Sequence, residues 1–275
     1  MLLFLPETYR PLLVRRKKYL AANQPRGREL RDALRNAQWR VSLTRPGVML
    51  FTEPIVFSLS LYMALIYGIL YLDFTAYPIV FVDTRHWPHK LSGLAFLGIA
   101  TGMAIATIGS PLINRVYSRA VHRLGPVPEA RLPHLIILAW LAPIALFWFA
   151  WTANPPTPWI VPILSGVLYG LSMVPLFLGI TAYLTDCYGD YSASALAANA
   201  VLRSLFGAVF PLFATKMYNK LGTPWATSLL GFLATALAPL PLLFYMYGSK
   251  IRSVSRFHLQ TMAEEHGSVE NITRG

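Results

Sequence analysis

Six long runs of apolar residues, separated by short polar stretches, follow one another along most of the chain. They occupy residues 54–81, 91–112, 134–153, 159–184, 193–214 and 224–247. Each is close to or longer than the about 20 residues that a helix needs to cross the hydrocarbon core of a bilayer. The runs lack the polar–apolar alternation of barrel strands, which favours helices. The pattern therefore predicts an all-α membrane protein with six transmembrane helices.

Composition excludes the main alternative, a soluble protein with a large core. Of the 275 residues, 55% are hydrophobic and 13% are charged, and the mean hydropathy is +0.47. A soluble domain carries about 25% charged residues. The single cysteine, Cys187, excludes an internal disulfide framework and a cysteine-based zinc site.

The basic residues fall mainly on one side of the predicted membrane. Of the 24 lysines and arginines, 19 lie in the first, third, fifth and last extramembrane segments and four in the others. Since cytoplasmic loops are enriched in Lys and Arg, both termini are predicted to be cytoplasmic. The net charge of +12 is then mainly an orientation signal. Contact with anionic lipid of the bilayer is expected, and a nucleic-acid partner is not.

Three regions follow from this topology. Residues 1–52 are predicted to hold the end of a preceding span and a basic cytoplasmic linker. Within the linker, 26–41 has apolar residues near helical spacing, which favours an amphipathic helix on the membrane surface or a solvated linker helix. Residues 53–248 form the six-span bundle, and 249–275 form a polar cytoplasmic tail.

One arginine interrupts the fifth apolar run, AANAVLRSLFGAVFPLF, at residues 197–213. On a helix, Asn199, Arg203 and Gly207 are spaced four apart and form one polar stripe with Ser192 and Ala195. An arginine at the centre of a span costs about 2.5–3.5 kcal/mol on insertion scales. It is therefore either a cation that faces a substrate or coupling path, or a structural residue that snorkels or binds a backbone carbonyl.

No acidic residue is an obvious partner for Arg203. The acids within or beside the spans are all expected near span ends, and none at mid-depth: Glu53, Asp73, Asp83, Asp186 and Asp190. Since an unpaired cation in lipid is untenable, Arg203 is expected to face water, a backbone carbonyl or a group outside this chain.

Small residues recur every four positions in two of the predicted spans. Gly98, Gly102, Ala106 and Ser110 form one stripe, and Gly166 and Gly170 share the same spacing. Such stripes let membrane helices approach closely. They indicate either helix packing or part of an interface that moves.

Several segments together resemble the fungal drug:proton antiporters of the major facilitator superfamily, which include polyamine and multidrug exporters. YLTDCYGDYSASALAANAVLRSLFGAVFPLF at 183–213 is similar to their tenth and eleventh spans, and the EPIVF segment at 53–81 to their seventh. LPETYRPLLVRRKKYL at 5–20 resembles the end of their sixth span, and PEARLP at 128–133 the segment before the ninth. The resemblance implies the C-terminal half of a twelve-helix fold.

The resemblance also implies what the other half supplies. The family's antiporter motif and its usual proton-linked acids lie in the first six spans. A weak echo of a family loop motif, SPLINRVYSR at 110–119, has Asn114 in place of the acid and keeps Arg115 and Arg119 as gate-loop candidates. A preceding half or a second chain is therefore an expected partner, and the sequence is expected to represent a truncated gene model, a pseudogene product or a half that must dimerise.

In this family the substrate lies near the midplane between the two halves. Asn199 and Arg203 are the polar candidates for that path. Met63, Tyr67 and Tyr71, spaced four apart, form an aromatic and sulfur-bearing face that suits flat apolar or cationic guests. The alternative for these three residues is ordinary packing.

The leading hypothesis is a transporter half for proton-coupled efflux of small molecules such as drugs, toxic metabolites or polyamines, in the plasma membrane. The alternative is a non-transporting remnant that at most associates with full-length relatives. An enzyme is not expected, because the spans carry no metalloprotease motif or phosphate-binding loop. His86 and His89 have no acid or thiol nearby in sequence to complete a metal site. No cofactor is predicted, and a proton gradient would supply the energy.

Overall fold

The computed structural model describes residues 44–125 and 127–255, and this part of the chain is helical almost throughout. The all-α fold class is therefore as predicted. The predicted linker helix at 26–41 and most of the tail lie outside the described residues. The main helices are α1 Pro54–Pro78, α2 Leu97–Ile108, α3 Ser110–Leu124, α4 Pro133–Leu138, α5 Leu141–Thr152, α6 Ile160–Tyr188, α7 Ser192–Leu237 and α8 Leu240–Val254.

Four helical stretches are long and apolar enough to cross a membrane: Pro54–Thr84, His89–Ile108, Pro133–Thr152 and Ile160–Ser253. The fourth has 94 residues, whereas about 20 residues span a bilayer. It is broken at Gly189 and Gly222, whose φ angles of 46° and 71° are left-handed and incompatible with a continuing helix. These two glycines divide the stretch into three segments that correspond to the last three predicted spans.

Two predicted boundaries were wrong. The first span continues beyond residue 81, because a π-helical segment, Ile79–Thr84, extends α1. The predicted loop at 113–133 contains most of a regular helix, α3, with basic residues in its last turn. Its apolar and charged positions alternate at helical spacing, so it forms a strongly amphipathic helix that the search for purely apolar runs misses.

The helices pack in two close pairs, α1 along α7 and α2 along α6, and α5 contacts both α6 and α7. In the α2–α6 pair, the predicted glycine stripes face each other. A Cβ atom on Gly98 would lie 2.2 Å from the Ile163 carbonyl oxygen, and one on Gly170 would lie 2.2 Å from that of Ile99. The packing interpretation is thus confirmed for the glycines of both stripes, because backbone meets backbone at these positions. Ser110, predicted as the last residue of the first stripe, instead begins α3 after α2 has ended.

Gly102→Ala is expected to lower the free energy of unfolding by about 1–3 kcal/mol or more. The added Cβ would lie 2.1 Å from the Val167 carbonyl oxygen and 2.9 Å from the Leu171 amide nitrogen, so the two helices must separate. Thermal unfolding of the purified protein in detergent measures the change. Gly93→Ala is the matched control, since a Cβ there meets nothing within 4 Å. Equal melting temperatures for the two variants would contradict the close approach.

Backbone carbonyls at one end of the bundle are held by a single arginine. Arg85 donates from Nε to the Ala153 carbonyl at 2.8 Å, and from its two terminal nitrogens to the carbonyls of Thr157 at 2.7 Å and Thr152 at 3.0 Å. Desolvation lowers the pKa of this guanidinium. Arg85 therefore ties the end of the first span to the loop between α5 and α6.

At the opposite end, a buried ion pair joins the last helix to the segment before α4. Nη2 of Arg252 lies 2.6 Å and 2.7 Å from the two carboxylate oxygens of Glu129. The two side chains are only 12% and 10% exposed. The pair connects parts of the chain that are 123 residues apart.

Candidate functional site around Arg203

Arg203 lies on α7 between two aromatic rings. Its guanidinium carbon is 5.0 Å from the ring centroid of Tyr67 on α1 and 4.7 Å from that of Phe177 on α6. A guanidinium over an aromatic face within about 6 Å of the centroid is attracted by the quadrupole of the ring. Three helices therefore converge on this cation, and the structure brings together Arg203 and Tyr67, two of the residues predicted for the site.

Gly207, one turn after Arg203, makes room for the aromatic residues of α1. A Cβ there would lie 3.1 Å from a ring carbon of Tyr67, closer than ordinary van der Waals contact. Tyr67 shares a hydrogen bond of 3.1 Å with the hydroxyl of Tyr71, and their ring centroids are 4.8 Å apart. Tyr71 is 36% exposed, so the aromatic face leads from the buried cation to the surface of the bundle.

Two nitrogen atoms at the site have no hydrogen-bond partner in the described part of the chain. They are Nδ2 of Asn199 and Nε of Arg203. Asn199 is only 2% exposed. Neither the Arg131–Asp186 ion pair nor the Arg252–Glu129 ion pair includes Arg203. Buried donors without partners are costly, which makes this polar stripe a candidate for a ligand contact.

The structure separates one predicted residue from the rest. Met63 is 4% exposed and belongs to the hydrophobic core, whereas Tyr67 and Tyr71 reach the arginine or the surface. Phe177 was not predicted, although it is the aromatic ring nearest to Arg203. It is one apolar residue in a long apolar span, and nothing in the sequence distinguishes it from its neighbours.

The three gate-loop candidates lie on α3. Asn114, Arg115 and Arg119 are exposed, and neither arginine takes part in an ion pair among the described residues. The charge contact in this region comes instead from Arg131, whose Nε donates to Asp186 and whose guanidinium lies 4.5 Å from the Tyr117 ring centroid. The hydrogen bond to Asp186 raises the pKa of Arg131. This contact ties α3 to the end of α6.

The arrangement is a half-buried cation on a membrane helix, enclosed by aromatic rings and open on one side. In a comparison with known protein families, the Major Facilitator Superfamily model matches residues 1–211 of the chain. The chain belongs to the major facilitator superfamily. The predicted fold class and family resemblance are thereby confirmed.

Curated members of the superfamily match most of this chain. A multidrug transporter of Aspergillus fumigatus is 51% identical over 91% of the chain and 43% of its own length. An efflux pump of Fusarium oxysporum is 45% identical over 90% of the chain and 44% of its length. A citrinin-cluster transporter of Monascus ruber is 43% identical over 93% of the chain and 53% of its own length.

The chain spans about half the length of the curated superfamily members it matches. These relatives are named as transporters or efflux pumps, in agreement with the prediction that the chain is not an enzyme. No solved structure matches the chain.

Proposed function

We propose that the chain forms the C-terminal six-helix half of a proton-coupled exporter of small molecules, such as drugs, toxic metabolites or polyamines. The observation that carries the proposal is Arg203, a half-buried cation in a membrane helix without an acidic partner among the described residues. Intramembrane charges of this kind typically mark substrate or ion pathways. The identity to multidrug and efflux transporters of fungi supports the same function.

The site favours guests that have an aromatic or otherwise flat apolar part. Tyr67 and Tyr71 present adjacent rings next to the arginine, and stacking on such rings tolerates varied chemistry. The guanidinium and the free Asn199 amide donate hydrogen bonds, so they suit a carbonyl, hydroxyl or anionic oxygen of the guest. A polyamine would bind with its ammonium groups away from Arg203.

A second six-helix half, from a preceding part of the same polypeptide or from another chain, would close the site. Phe74, whose ring centroid lies 5.8 Å from that of Tyr71, is 55% exposed. A surface of this kind suits burial against another set of helices. Substrate and proton would then bias the rocking of the two halves between inward- and outward-open states.

The charge distribution supports an orientation with both termini in the cytoplasm, and the resemblance to the fungal drug:proton antiporters favours the plasma membrane. In that orientation, the Glu129–Arg252 and Arg131–Asp186 pairs lie at the cytoplasmic end and the Arg85 contacts at the outer end. At each end of this six-helix half, contacts within the half therefore hold its helices together. This favours movement of the half as a unit.

Expression in a yeast strain that lacks its drug-efflux pumps tests the proposed function. The full chain would be expressed alone and fused after the N-terminal half of the Aspergillus fumigatus relative. We expect the fusion to restore resistance to a panel of drugs and to spermidine, because only it has both walls of a central path. Membrane abundance would be measured by immunoblotting, and the N-terminal half alone serves as the control.

A fusion that reaches the membrane at normal abundance but restores no resistance would contradict the proposal and favour the non-transporting remnant. Resistance restored by the chain alone would instead show that a second copy can take the place of the other half. Measuring the oligomeric state of the purified chain then identifies that copy directly.

A further inference from the structure

Asp73 lies deep within the first span, contrary to the expectation that all nearby acids occupy span ends. It precedes Thr84, the last residue of this continuous helical stretch, by eleven residues. At 1.5 Å per residue this is about 16 Å. The expectation was wrong because the helical stretch runs from Pro54 to Thr84, with Asp73 well inside both of its ends. Asp73 is 6% exposed, so its carboxyl group is buried within the bundle.

The carboxyl group lines a small cavity between three helices. The cavity has a volume of about 10 Å³, which is near the minimum that holds one water molecule. Its other walls come from α1, α5 and α6: Tyr77, Ala145, Leu146, Phe149, Ser165, Gly166 and Tyr169.

The polar groups around the cavity leave Asp73 without a donor. The Tyr169 hydroxyl donates to the Ile66 carbonyl, and the Ser165 hydroxyl donates to the Pro162 carbonyl. Among the described residues, no hydrogen bond or ion pair includes Asp73. Tyr77 also lines the cavity, and its hydroxyl takes part in no hydrogen bond with a described residue, so one water molecule in the cavity is the remaining donor for Asp73.

The ionisable groups that interact electrostatically with Asp73 are tyrosines on three elements. They are Tyr77 on α1 itself, Tyr169 on α6 and Tyr218 on α7, and the cavity wall from α5 contributes only apolar side chains. No described arginine, lysine or histidine lines the cavity. An isolated carboxylate in such surroundings is costly, whereas a neutral carboxylic acid with one donor or water molecule is tolerated.

We propose that Asp73 is a proton-binding site of this half, at which a proton is carried during transport. The inference rests on the proposed function, since a coupled exporter needs a group that gains and loses a proton as access alternates. Asp73 fits because it is buried, faces a water-sized cavity and is not neutralised by a cation. The predicted orientation places it nearer the outer surface, from which protons would enter during efflux.

The step is a simple acid–base exchange. The Asp73 carboxylate takes one proton from a hydronium ion when the cavity opens, which leaves a water molecule, and it becomes a neutral carboxylic acid that can be enclosed. When the cavity opens to the other side, the O–H bond breaks and the same proton returns to water. The substrate forms no covalent bond with the protein, and a water molecule in the cavity donates a hydrogen bond to the carboxylate while it is charged.

Infrared spectroscopy of the purified 275-residue chain in lipid vesicles tests the proton site without requiring transport. We expect the C=O band of a protonated carboxylic acid near neutral pH, and we expect Asp73→Asn to remove that band. Asp83→Asn, an exposed acid later in the same span, is the matched control and should leave the band intact. An unchanged band in Asp73→Asn would overturn the proposal.

The fusion with the N-terminal half tests the coupling. In vesicles with an imposed pH gradient, we expect the gradient to accelerate transport of Nile red by the parent fusion and the Asp83→Asn variant. For Asp73→Asn, the ratio of rates with and without the gradient should fall to unity. Asp73→Glu, which keeps an ionisable group, should retain part of the acceleration.

The two proposals fail in distinguishable ways. A parent fusion that moves no Nile red and gives no drug resistance argues against an exporter, while the infrared band still decides whether Asp73 binds a proton. If the parent fusion transports Nile red and the pH gradient accelerates transport equally in the parent and in Asp73→Asn, only the Asp73 proposal is overturned. If Asp73→Asn does not reach normal abundance, Asp73→Glu takes its place in the infrared test, and an unshifted C=O band in Asp73→Glu would overturn the Asp73 proposal.

Discussion

Arg203→Ala in the fused transporter is expected to lower efflux at least about tenfold while abundance in the membrane stays close to that of the parent. The substitution removes two cation–π contacts, each of about 2 kcal/mol when desolvated. It also removes the insertion cost of a central arginine, about 2.5–3.5 kcal/mol. These terms have opposite signs and similar sizes, so folding changes little. A loss of about 1.4 kcal/mol in the binding free energy of the state that transports the substrate already lowers the efflux rate tenfold.

Efflux rates and immunoblots of the membrane fraction measure the two quantities separately. Lys216→Ala is the matched control, since Lys216 is an exposed cation on the same helix. Arg203→Lys should have an intermediate rate, because it keeps the charge and loses the planar group that stacks on the rings. A fall in abundance that accounts for the whole loss of efflux would favour the purely structural interpretation of Arg203.

Glu129→Gln is expected to lower the free energy of unfolding by about 3–5 kcal/mol, because it leaves the Arg252 guanidinium buried beside a neutral group. Both side chains of the pair are about nine-tenths buried, so water does not replace the lost carboxylate. The same loss should appear as a lower melting temperature of the purified protein in detergent. Adding Arg252→Met to Glu129→Gln should recover much of the stability, since no uncompensated charge then remains.

Asp186→Asn is the control for this prediction. Asp186 pairs with Arg131, and their side chains are 33% and 31% exposed. A pair as accessible as this contributes about 1 kcal/mol or less. Equal losses of unfolding free energy in Asp186→Asn and Glu129→Gln would show that burial of the Glu129–Arg252 pair is not the source of the effect. A loss in the Glu129→Gln, Arg252→Met double variant that equals the sum of the two single losses would show the same.

The helices were predictable where one local rule decides them. Long apolar runs fix the existence of each span, and the glycine spacing anticipated the backbone contact between Gly102 and Val167. The ends of the elements were less predictable. The π-helical turn after Pro78 has no signature in hydropathy, and α3 is amphipathic rather than apolar. Pairing between Glu129 and Arg252 depends on how distant helices pack, and a single sequence does not record this.

The candidate site was partly predictable for the same reason. Arg203 and Asn199 are conspicuous because polar residues are rare in an apolar span, and their spacing of four places them on one face. The ring on the far side of the guanidinium, Phe177, belongs to another helix and looks like any other apolar residue. Asp73 was visible in the sequence, but its burial depends on how the surrounding helices pack against the first span.

The Arg85 contacts have a consequence for sequence divergence. All three acceptors are main-chain carbonyl oxygens, of Thr152, Ala153 and Thr157, and every amino acid supplies such an oxygen. The side chains of Thr152 and Thr157 are therefore free to change over evolutionary time without weakening the attachment, whereas Ala153 is also constrained by its fully buried position in the core. Position 85 cannot change in this way, because only the guanidinium group of arginine has several N–H donors arranged to reach three acceptors at once.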